Sequence, residues 1–583
     1  MIIAKYFRCY NSFMEKIWEV KEKKFTDPIL QLLYNRGVIP ACRQAGKDRT
    51  LKKTIEDFLQ PDFAKDFHDP ELLPDFKPAI LRIKKAMDHK EKIGIFADYD
   101  ADGIPGAALL YKTFRLFNIT PEVYIPTRQA GYGFNQPGID FLLEAGCKLI
   151  ISVDLGIKEF ELARYIASKD ADLIITDHHL PEKEIPKALA VINPKISSSK
   201  YPFKELAGAG VVYKIIQGLA KIYPEKITES FLKWNLDLVA ISTISDVVPL
   251  IDENRVVAKF GLLVLRKSRN LGIKAICEKA AINQAKINSY TVGFQIGPRI
   301  NAPGRVGYAT GSFKILVTED TSEAKELAAH LEEQNACRQA SMKRIFREAS
   351  RVIEKEGVLK EKILLLSNPD WPKGVIGPVA SSIVEKYFRP TILFRDENKI
   401  LVGSGRSIGS FNIVKALEKV KKYTLSFGGH AGAAGVRVDK KNFTKFREAI
   451  TKVVNESVSP KDLLPKINID LELPKDKISI GLFRDLEKLE PFGMGNPRPI
   501  FTSNKLRLIS HRYVGRENKH LQLRFALGTK EIKGIVFSSE IKDSIIHSGH
   551  EYDLVYNSGL NFWDGKWWLD LQIIDLKARG DNG

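Results

Sequence analysis

Apolar and polar positions along this chain fall into three successive regimes. Ile93-Gly94-Ile95-Phe96-Ala97 is a continuous apolar run of strand length, expected of a strand covered on both faces. Further runs lie at 148–153, 173–175 and 189–192, separated by stretches of helical spacing such as 107–117. That alternation predicts βαβ units around a parallel sheet. A second α/β pattern begins at Ile363-Leu364-Leu365-Leu366 and carries two glycine-rich segments, 403–407 and 428–432. Beyond about residue 465 short strands take over, at 506–509, 520–525 and 532–537. Asp564-Gly565 between Phe562-Trp563 and Trp567-Trp568 predicts a hairpin turn. A small β-barrel is expected there, with the OB-fold the natural candidate.

Residues 1–90 read as mixed and helical in pattern. The stretch 322–356 lacks Pro and Gly and places Ala324, Leu327, Ala328 and Leu331, then Met342, Ile345, Phe346, Ala349, Val352 and Ile353, at helical spacing. Thr321 or Ser322 is the expected start cap and Gly357 the stop. At 1.5 Å per residue such a helix spans about 50 Å and is expected to bridge two domains.

With 583 residues the chain has room for about four domains. Its 44% hydrophobic and 28% charged content excludes wholesale disorder. Ninety Lys and Arg against 71 Asp and Glu leave a net charge of +19, which favours polyanionic partners, nucleic acid before anionic membrane. Five widely spaced cysteines without a CxxC argue against a disulfide framework or a zinc–thiolate site and fit a reducing cytoplasm. No apolar stretch of signal-peptide or membrane-span length is present, so a cytoplasmic protein with no membrane partner is expected.

Four segments share one design, an apolar run followed by hard-metal ligands. Asp98, Asp100 and Asp102 follow the first run, Asp154 follows 150–153, Asp177-His178-His179 follow 173–176, and Asp246 follows 238–244, a stretch compatible with a helix. Sites in parallel α/β sheets form at the carboxyl ends of strands, so the first three clusters are expected to converge. Carboxylates gathered there repel one another, and a cation relieves that. Oxygen ligands with one or two imidazoles suit Mn²⁺ or Mg²⁺, and this many ligands suit two ions about 4 Å apart sharing one carboxylate. Phosphodiester hydrolysis is the natural chemistry of such a pair. Singly, an Asp after a strand is commonly a turn former and a His pair commonly structural. An EF-hand is excluded, since Leu109 stands where the loop needs its Glu.

These residues carry a resemblance. DYDADG at 98–103, VDLG at 153–156, DHH at 177–179 and SDVVP at 245–249 resemble motifs I to IV of the DHH phosphoesterase superfamily. GFQIGPRINAPGRVG at 293–307, GVIGPVASSIVEKY at 374–387, GSGRS at 403–407, GGHAGAAG at 428–435 and LEPFGMGNPRP at 489–499 are similar to its RecJ branch. Leu155, where the family often has Asn, and Gly405, where GSARS is commoner, depart from the pattern; Phe96, where pyrophosphatase members carry His, argues for the RecJ branch.

The resemblance implies an N-terminal helical extension (1–78), a DHH catalytic domain (79–270), a linker with the long helix (271–357), a DHHA1 domain (358–460) and an OB-fold (461–583). It implies two divalent ions held by Asp98, Asp100, Asp102, Asp154, His178 and Asp246, with Asp177, His179 and His430 in catalytic roles and His430 beside the scissile phosphate. Arg128, Arg299, Ser404 and Arg406 would receive a 5′-terminal phosphate, with Arg305 nearby in sequence. Among the C-terminal aromatics, Trp563, Trp567 and Trp568 are the candidates for stacking on bases, with Tyr556 and Phe562 also in reach. The implied activity is 5′→3′ exonucleolytic hydrolysis of single-stranded DNA to 5′-mononucleotides in repair and recombination. The implied partners are single-stranded DNA, a helicase and a single-strand-binding protein, for a chain expected to be monomeric. A phosphodiesterase acting on short oligonucleotides or cyclic dinucleotides, and a non-catalytic DNA-binding scaffold, are the competing readings.

Overall fold

The computed structural model describes residues 16–41, 49–126, 133–306, 309–355, 357–537, 546–563 and 565–579. The chain divides into two compact units. One comprises 44–336 with 489–497; the other comprises 1–43, 337–488 and 498–583. No helix among the described residues is long and apolar enough to cross a membrane.

The described chain opens on a strand, β1 (Ile17–Val20), where a helical pattern was expected. It pairs in parallel with Lys466–Ile469, and Trp18 Nε1 donates to Asp575 Oδ2 at 2.8 Å. A partner that remote in sequence leaves no local periodicity to read.

The first sheet comprises β2 (Ile93–Ala97), β3 (Glu122–Tyr124), β4 (Leu149–Val153), β5 (Asp172–Thr176) and β6 (Ala190–Ile192), in the order β3-β2-β4-β5-β6. All its pairings are parallel. Every residue of β2 and β4 is buried, as a sheet covered on both faces requires. Ile93, Ile95 and Ile151 enter one core, with Ile104 and Leu109, while Phe96, Ile150 and Ile175 enter the other, with Ile139 and Ile166. The strand order reverses between β2 and β4, which opens a crevice at their carboxyl ends.

Helix α1 (Gly103–Arg115) follows β2 directly; α2 (Gly208–Ile222), α3 (Leu236–Ser245), α4 (Asp252–Leu265) and α5 (Gly297–Val306) follow the sheet. The stretch 238–244 is helical, in α3. Its residues are buried on all sides, so its apolar pattern is continuous rather than one-faced.

The long helix is α6 (Thr321–Lys355). Ala324, Ala328 and Leu331 pack in the core of the first unit; Met342, Ile345, Phe346, Ala349 and Ile353 pack in a core of the second. Its start cap is Asp320, not Thr321 or Ser322: Asp320 Oδ1 accepts from Glu323 N at 2.7 Å. Gly357 stands beyond its end at φ +69°, a conformation glycine adopts without a Cβ clash.

The second sheet holds β7 (Leu364–Asn368), β8 (Thr391–Glu397), β9 (Ile400–Arg406), β10 (Ser426–His430) and β11 (Ala433–Asp439), ordered β10-β11-β9-β8-β7, with α7 (Lys373–Tyr387) connecting β7 to β8. Strand β12 (Lys466–Ile469) is the partner of β1. The C-terminal barrel comprises β13 (Leu471–Glu472), β14 (Phe501–Val514), β15 (His520–Leu527), β16 (Lys530–Val536), β17 (Glu551–Trp563) and β18 (Lys566–Ala578). Pairing runs β14-β15-β16-β18-β17, and β17 returns to β14 to close it. The parallel β16–β18 pair gives the five closed strands the OB arrangement.

Candidate metal centre and phosphate-binding residues

Lateral register places the acidic cluster. Ala97, Val153 and Thr176 pair side by side, so Asp98, Asp154 and Asp177 leave the sheet together. Asp98 N donates to Val153 O at 3.1 Å, Asp154 N to Thr176 O at 2.9 Å and Asp177 N to Ile192 O at 3.2 Å. Asp154 takes φ +62°, uncommon for a residue with a Cβ, and this turns its carboxylate into the crevice. Close approach is possible because Gly208 lies against it: a Cβ there would stand 2.6 Å from Asp154 Cβ.

Asp100 Oδ1 accepts from Asp102 N and Gly103 N at 2.9 and 3.0 Å, an Asx turn that shapes the loop at the start of α1. Asp102 is anchored from three directions. Ala209 N and Ser242 Oγ donate to its Oδ1 at 2.8 and 2.6 Å, and Gly208 N donates to its Oδ2 at 2.7 Å. His178 Nε2 lies 3.2 Å from Asp154 Oδ1, 3.5 Å from Asp102 Oδ2 and 3.6 Å from Asp246 Oδ2. Asp246 is presented by the C-terminus of α3.

Three overlapping groups each have ligand atoms within 4.8 Å of one another: Asp98, Asp100 and Asp154; Asp102, His178 and Asp246; Asp154, His178 and His179. Two ligands at right angles on a cation with bonds of about 2.1 Å stand about 3 Å apart, so separations of 3.2–3.6 Å suit a shared ion. Asp154 Oδ1 is buried and accepts no hydrogen bond despite that proximity to His178. Such an atom is costly to bury unless a cation meets it.

The electrostatics agree. Asp98, Asp102, Asp154 and Asp177 are each at most 2% exposed. Burial, then the charges of Asp102, Asp100, Asp98 and Asp177, pushes Asp154 well above the usual carboxylate range. Burial and Asp102 raise Asp100 as well, and burial with Asp102 and Asp100 pushes Asp246 up to about 8. Burial lowers His178, favouring the neutral imidazole a cation needs.

Asp177 behaves differently. Its Oδ1 accepts from His178 N, His179 N and His179 Nδ1, at 2.7, 3.0 and 2.8 Å, and its Oδ2 accepts from Ile157 N at 2.9 Å. Sequence reasoning grouped it with the catalytic residues; the geometry gives it the posture of a positioning residue for the two histidines. Burial opposes a charge on His179, but Asp177 and the other carboxylates outweigh it and raise His179 to about 9.

The remaining predicted residues divide. Arg128 lies outside the described residues. Arg299, on α5, directs Nε and Nη2 at Glu332 on α6, at 2.5 and 3.2 Å, and Nη1 at Gln295 O, so its fork serves an ion pair. Arg305 is half-buried on the same helix. Ser404 and Arg406 come together on one face of β9, with Arg406 Nη1 3.2 Å from Ser404 Oγ and Gly377 of α7 packed against both. Ala433 pairs with Arg406 on one side and His430 on the other, so those two residues end strands about 10 Å apart. His430 is exposed, and its Nδ1 accepts from Gly432 N.

In the barrel, Trp568 is 57% exposed and lines a groove of about 500 Å³ with Arg524, Lys533, Asn561 and Asp570. Trp567 faces the other way, half-buried, with the Arg484 guanidinium 5.4 Å from its ring centre. The side chains of Phe562 and Trp563 lie outside the described residues. Tyr556 is not available for stacking: it is fully buried and its hydroxyl bonds Ser503 Oγ at 2.8 Å.

Family profiles match three stretches: "DHH family, N-terminal domain" at 92–243, "DHHA1 domain" at 360–456 and "RecJ OB domain" at 469–575. The single-stranded-DNA-specific exonuclease RecJ of Haemophilus influenzae is 31% identical over 512 residues, covering 85% of this chain and 86% of that protein. The chain belongs to the RecJ family. The Escherichia coli RecJ is 30% identical, covering 94% of this chain and 95% of that protein. The Bacillus subtilis RecJ is 34% identical over 514 residues, and there the chain spans 64% of the relative's length. The crystal structure of Thermus thermophilus RecJ in complex with Mn²⁺ superposes with a TM-score of 0.79 at 26% identity, covering 96% of this chain and 79% of that one.

Within this RecJ-family chain, sequence reasoning missed the groups that hold the ligands. Ser242 and the first N–H groups of α2 anchor Asp102, and Asn301 Oδ1 accepts from Ala101 N at 2.7 Å, fixing the 98–103 loop. The signal available was Ala207-Gly208-Ala209-Gly210, a glycine-rich helix start of the kind that receives anions. Phe96 stacks on Phe134 with ring centres 4.5 Å apart, so it serves the core beside the site.

Proposed function

We propose that this chain is a metal-dependent 5′→3′ exonuclease that hydrolyses single-stranded DNA to 5′-mononucleotides in DNA repair and recombination. The observation that carries the reading is the convergence of Asp102, Asp154 and Asp246 on His178 Nε2 at the carboxyl edge of the parallel sheet.

Asp98, Asp100 and Asp154 would hold one Mn²⁺ or Mg²⁺, and Asp102, His178 and Asp246 the other, with Asp154 placed to serve both. When bound, the pair supplies an activated water and charge neutralisation at the scissile phosphate. The chain's own groups do the rest. Asp177 holds the His178 and His179 backbone and the His179 ring through three accepted hydrogen bonds and is itself held by Ile157 N. Ser404 and Arg406 offer a hydroxyl and a guanidinium to the 5′-terminal phosphate, a charge-assisted contact that only a chain end can satisfy. The register that sets His430 two strands away from Arg406 supports a role for His430 at the phosphate one step along the DNA. Arg305 lies on α5 near the 98–103 loop, which Asn301 of the same helix holds, while the charge of Arg299 is met by Glu332.

Trp568 provides a stacking surface for the trailing single strand, in a groove where Arg524 and Lys533 stand beside Glu531 and Asp570. A distal grip favours long strands over dinucleotides. The enzyme works as a cytoplasmic monomer, supplied with single strands by a helicase and a single-strand-binding protein. A time course on 5′-phosphorylated single-stranded and duplex DNA, in Mn²⁺, Mg²⁺ and EDTA, tests the reading. Mononucleotide release from single strands only, and only with metal, is expected; endonucleolytic products or EDTA-resistant cleavage would overturn it.

A further inference from the structure

Residues 489–497 belong to the first unit, although the segments on either side of them in sequence belong to the second. Those nine residues are built into the unit that carries the acidic cluster. Leu250 N donates to Met494 O at 2.8 Å. Gly493 lies so close to Leu250 that a Cβ would stand 2.6 Å from Leu250 Cδ1. Gly495, at φ +74°, packs against Pro249 and Ile251. The segment they clasp, 248–251, begins two residues after Asp246.

The loop keeps its own shape. Gly493 N donates to Asn496 O at 2.9 Å and Asn496 N to Gly493 O at 3.2 Å. Asn496, fully buried, donates through Nδ2 to Leu489 O and Pro491 O at 2.7 and 3.0 Å. Arg255 of α4, 1% exposed, donates through Nη2 to Leu489 O and Glu490 O at 3.1 and 3.0 Å. Its neighbour Asn254 donates to Pro249 O at 3.0 Å, so consecutive residues of one helix hold both the loop and the segment after Asp246. Ser289 Oγ donates to Phe492 O at 2.5 Å.

Asp246 needs this support more than the other acids. Asp98 and Asp154 continue a sheet ladder, and Asp102 is bound by three donors. Asp246 has the end of α3 behind it and, ahead, Val247 at φ +62° and 58% exposed. Its backbone is fixed on one side by α3 and on the other by the clasp at 249–251.

We propose that the Leu489–Pro497 loop is a positioning element of the metal centre, holding Asp246 on its ligand geometry through Leu250 and Pro249. This rests on the two-ion reading above. Groups that orient a ligand typically carry 10–100-fold in metal affinity. Gly493→Ala should therefore weaken one of two Mn²⁺ sites about tenfold, with kcat recovering at saturating Mn²⁺ and KM for single-stranded DNA unchanged. Leu250→Ala added to Gly493→Ala should relieve the overlap and restore the affinity.

The experiment is a Mn²⁺ titration of the full chain followed by electron paramagnetic resonance, with circular dichroism as the fold control. Wild-type protein binding fewer than two Mn²⁺ would defeat the two-ion reading itself. Wild type binding two, with a folded Gly493→Ala variant binding both at wild-type affinity, would defeat the positioning role alone. Should Gly493→Ala not fold, Ser289→Ala carries the test: a two- to threefold loss at one site is expected, on the order of one modest hydrogen bond, and unchanged affinity overturns the proposal.

Discussion

Asp154 concentrates the chemistry of the site in one side chain. It stands in left-handed backbone conformation, is buried to 2%, and belongs to two of the three ligand groups. Replacing it by Asn keeps the shape and removes the charge. Turnover should fall by about a hundredfold or more, while binding of single-stranded DNA, measured by fluorescence anisotropy, stays within a few-fold. A second expectation concerns pH. Asp246 has an ordinary value of 3.8 and a folded value of about 8, so the folded state holds its proton more tightly than the unfolded state. Without metal, this group's contribution to stability is therefore lost as pH rises from about 4 to about 8. Thermal melts in Mn²⁺ and, separately, in EDTA should show Mn²⁺ stabilising the chain more at pH 8 than at pH 6. Equal stabilisation at both values would count against charge repulsion as the reason for the metal.

Elements carry functions that their single residues do not reveal. Strand β18 alternates faces, so Trp567 turns inward to Arg484 and Trp568 outward to the groove. Trp568→Ala should cost about 1–3 kcal/mol of single-strand affinity, whereas Tyr556→Phe should leave affinity unchanged and lower the melting temperature through the lost Ser503 bond. Helix α6 runs from a core of one unit to a core of the other under a single N-terminal cap. Asp320→Ala should lower stability by about 1 kcal/mol, read as a shift in the denaturant midpoint, with exonuclease activity retained.

For the whole molecule, polarity of digestion and charge are the measurable properties. Arg406→Ala should chiefly abolish the preference for a 5′-phosphate over a 5′-hydroxyl end, with metal affinity unaltered. A net charge of +19 predicts that single-strand affinity falls steeply with salt. A variant of Arg524 and Lys533 to Ala should flatten that salt slope without changing cleavage polarity. Both are read from competition assays across a salt series.

Fold class and the gathering of the acidic clusters were legible locally. The continuous apolar runs of β2 and β4 have the length of strands buried on both faces, and acids placed one residue beyond such strands share an edge once the strands are parallel neighbours. Long-range pairing was not legible. The parallel partnership of β1 with β12, the burial of Tyr556, the ion pair that engages Arg299, and the clasp of Met494 on Leu250 each join segments far apart in sequence. Local periodicity records which way a side chain must face, because burial repeats with the period of the element. It does not record what stands opposite, because that is fixed by chain closure and packing in three dimensions.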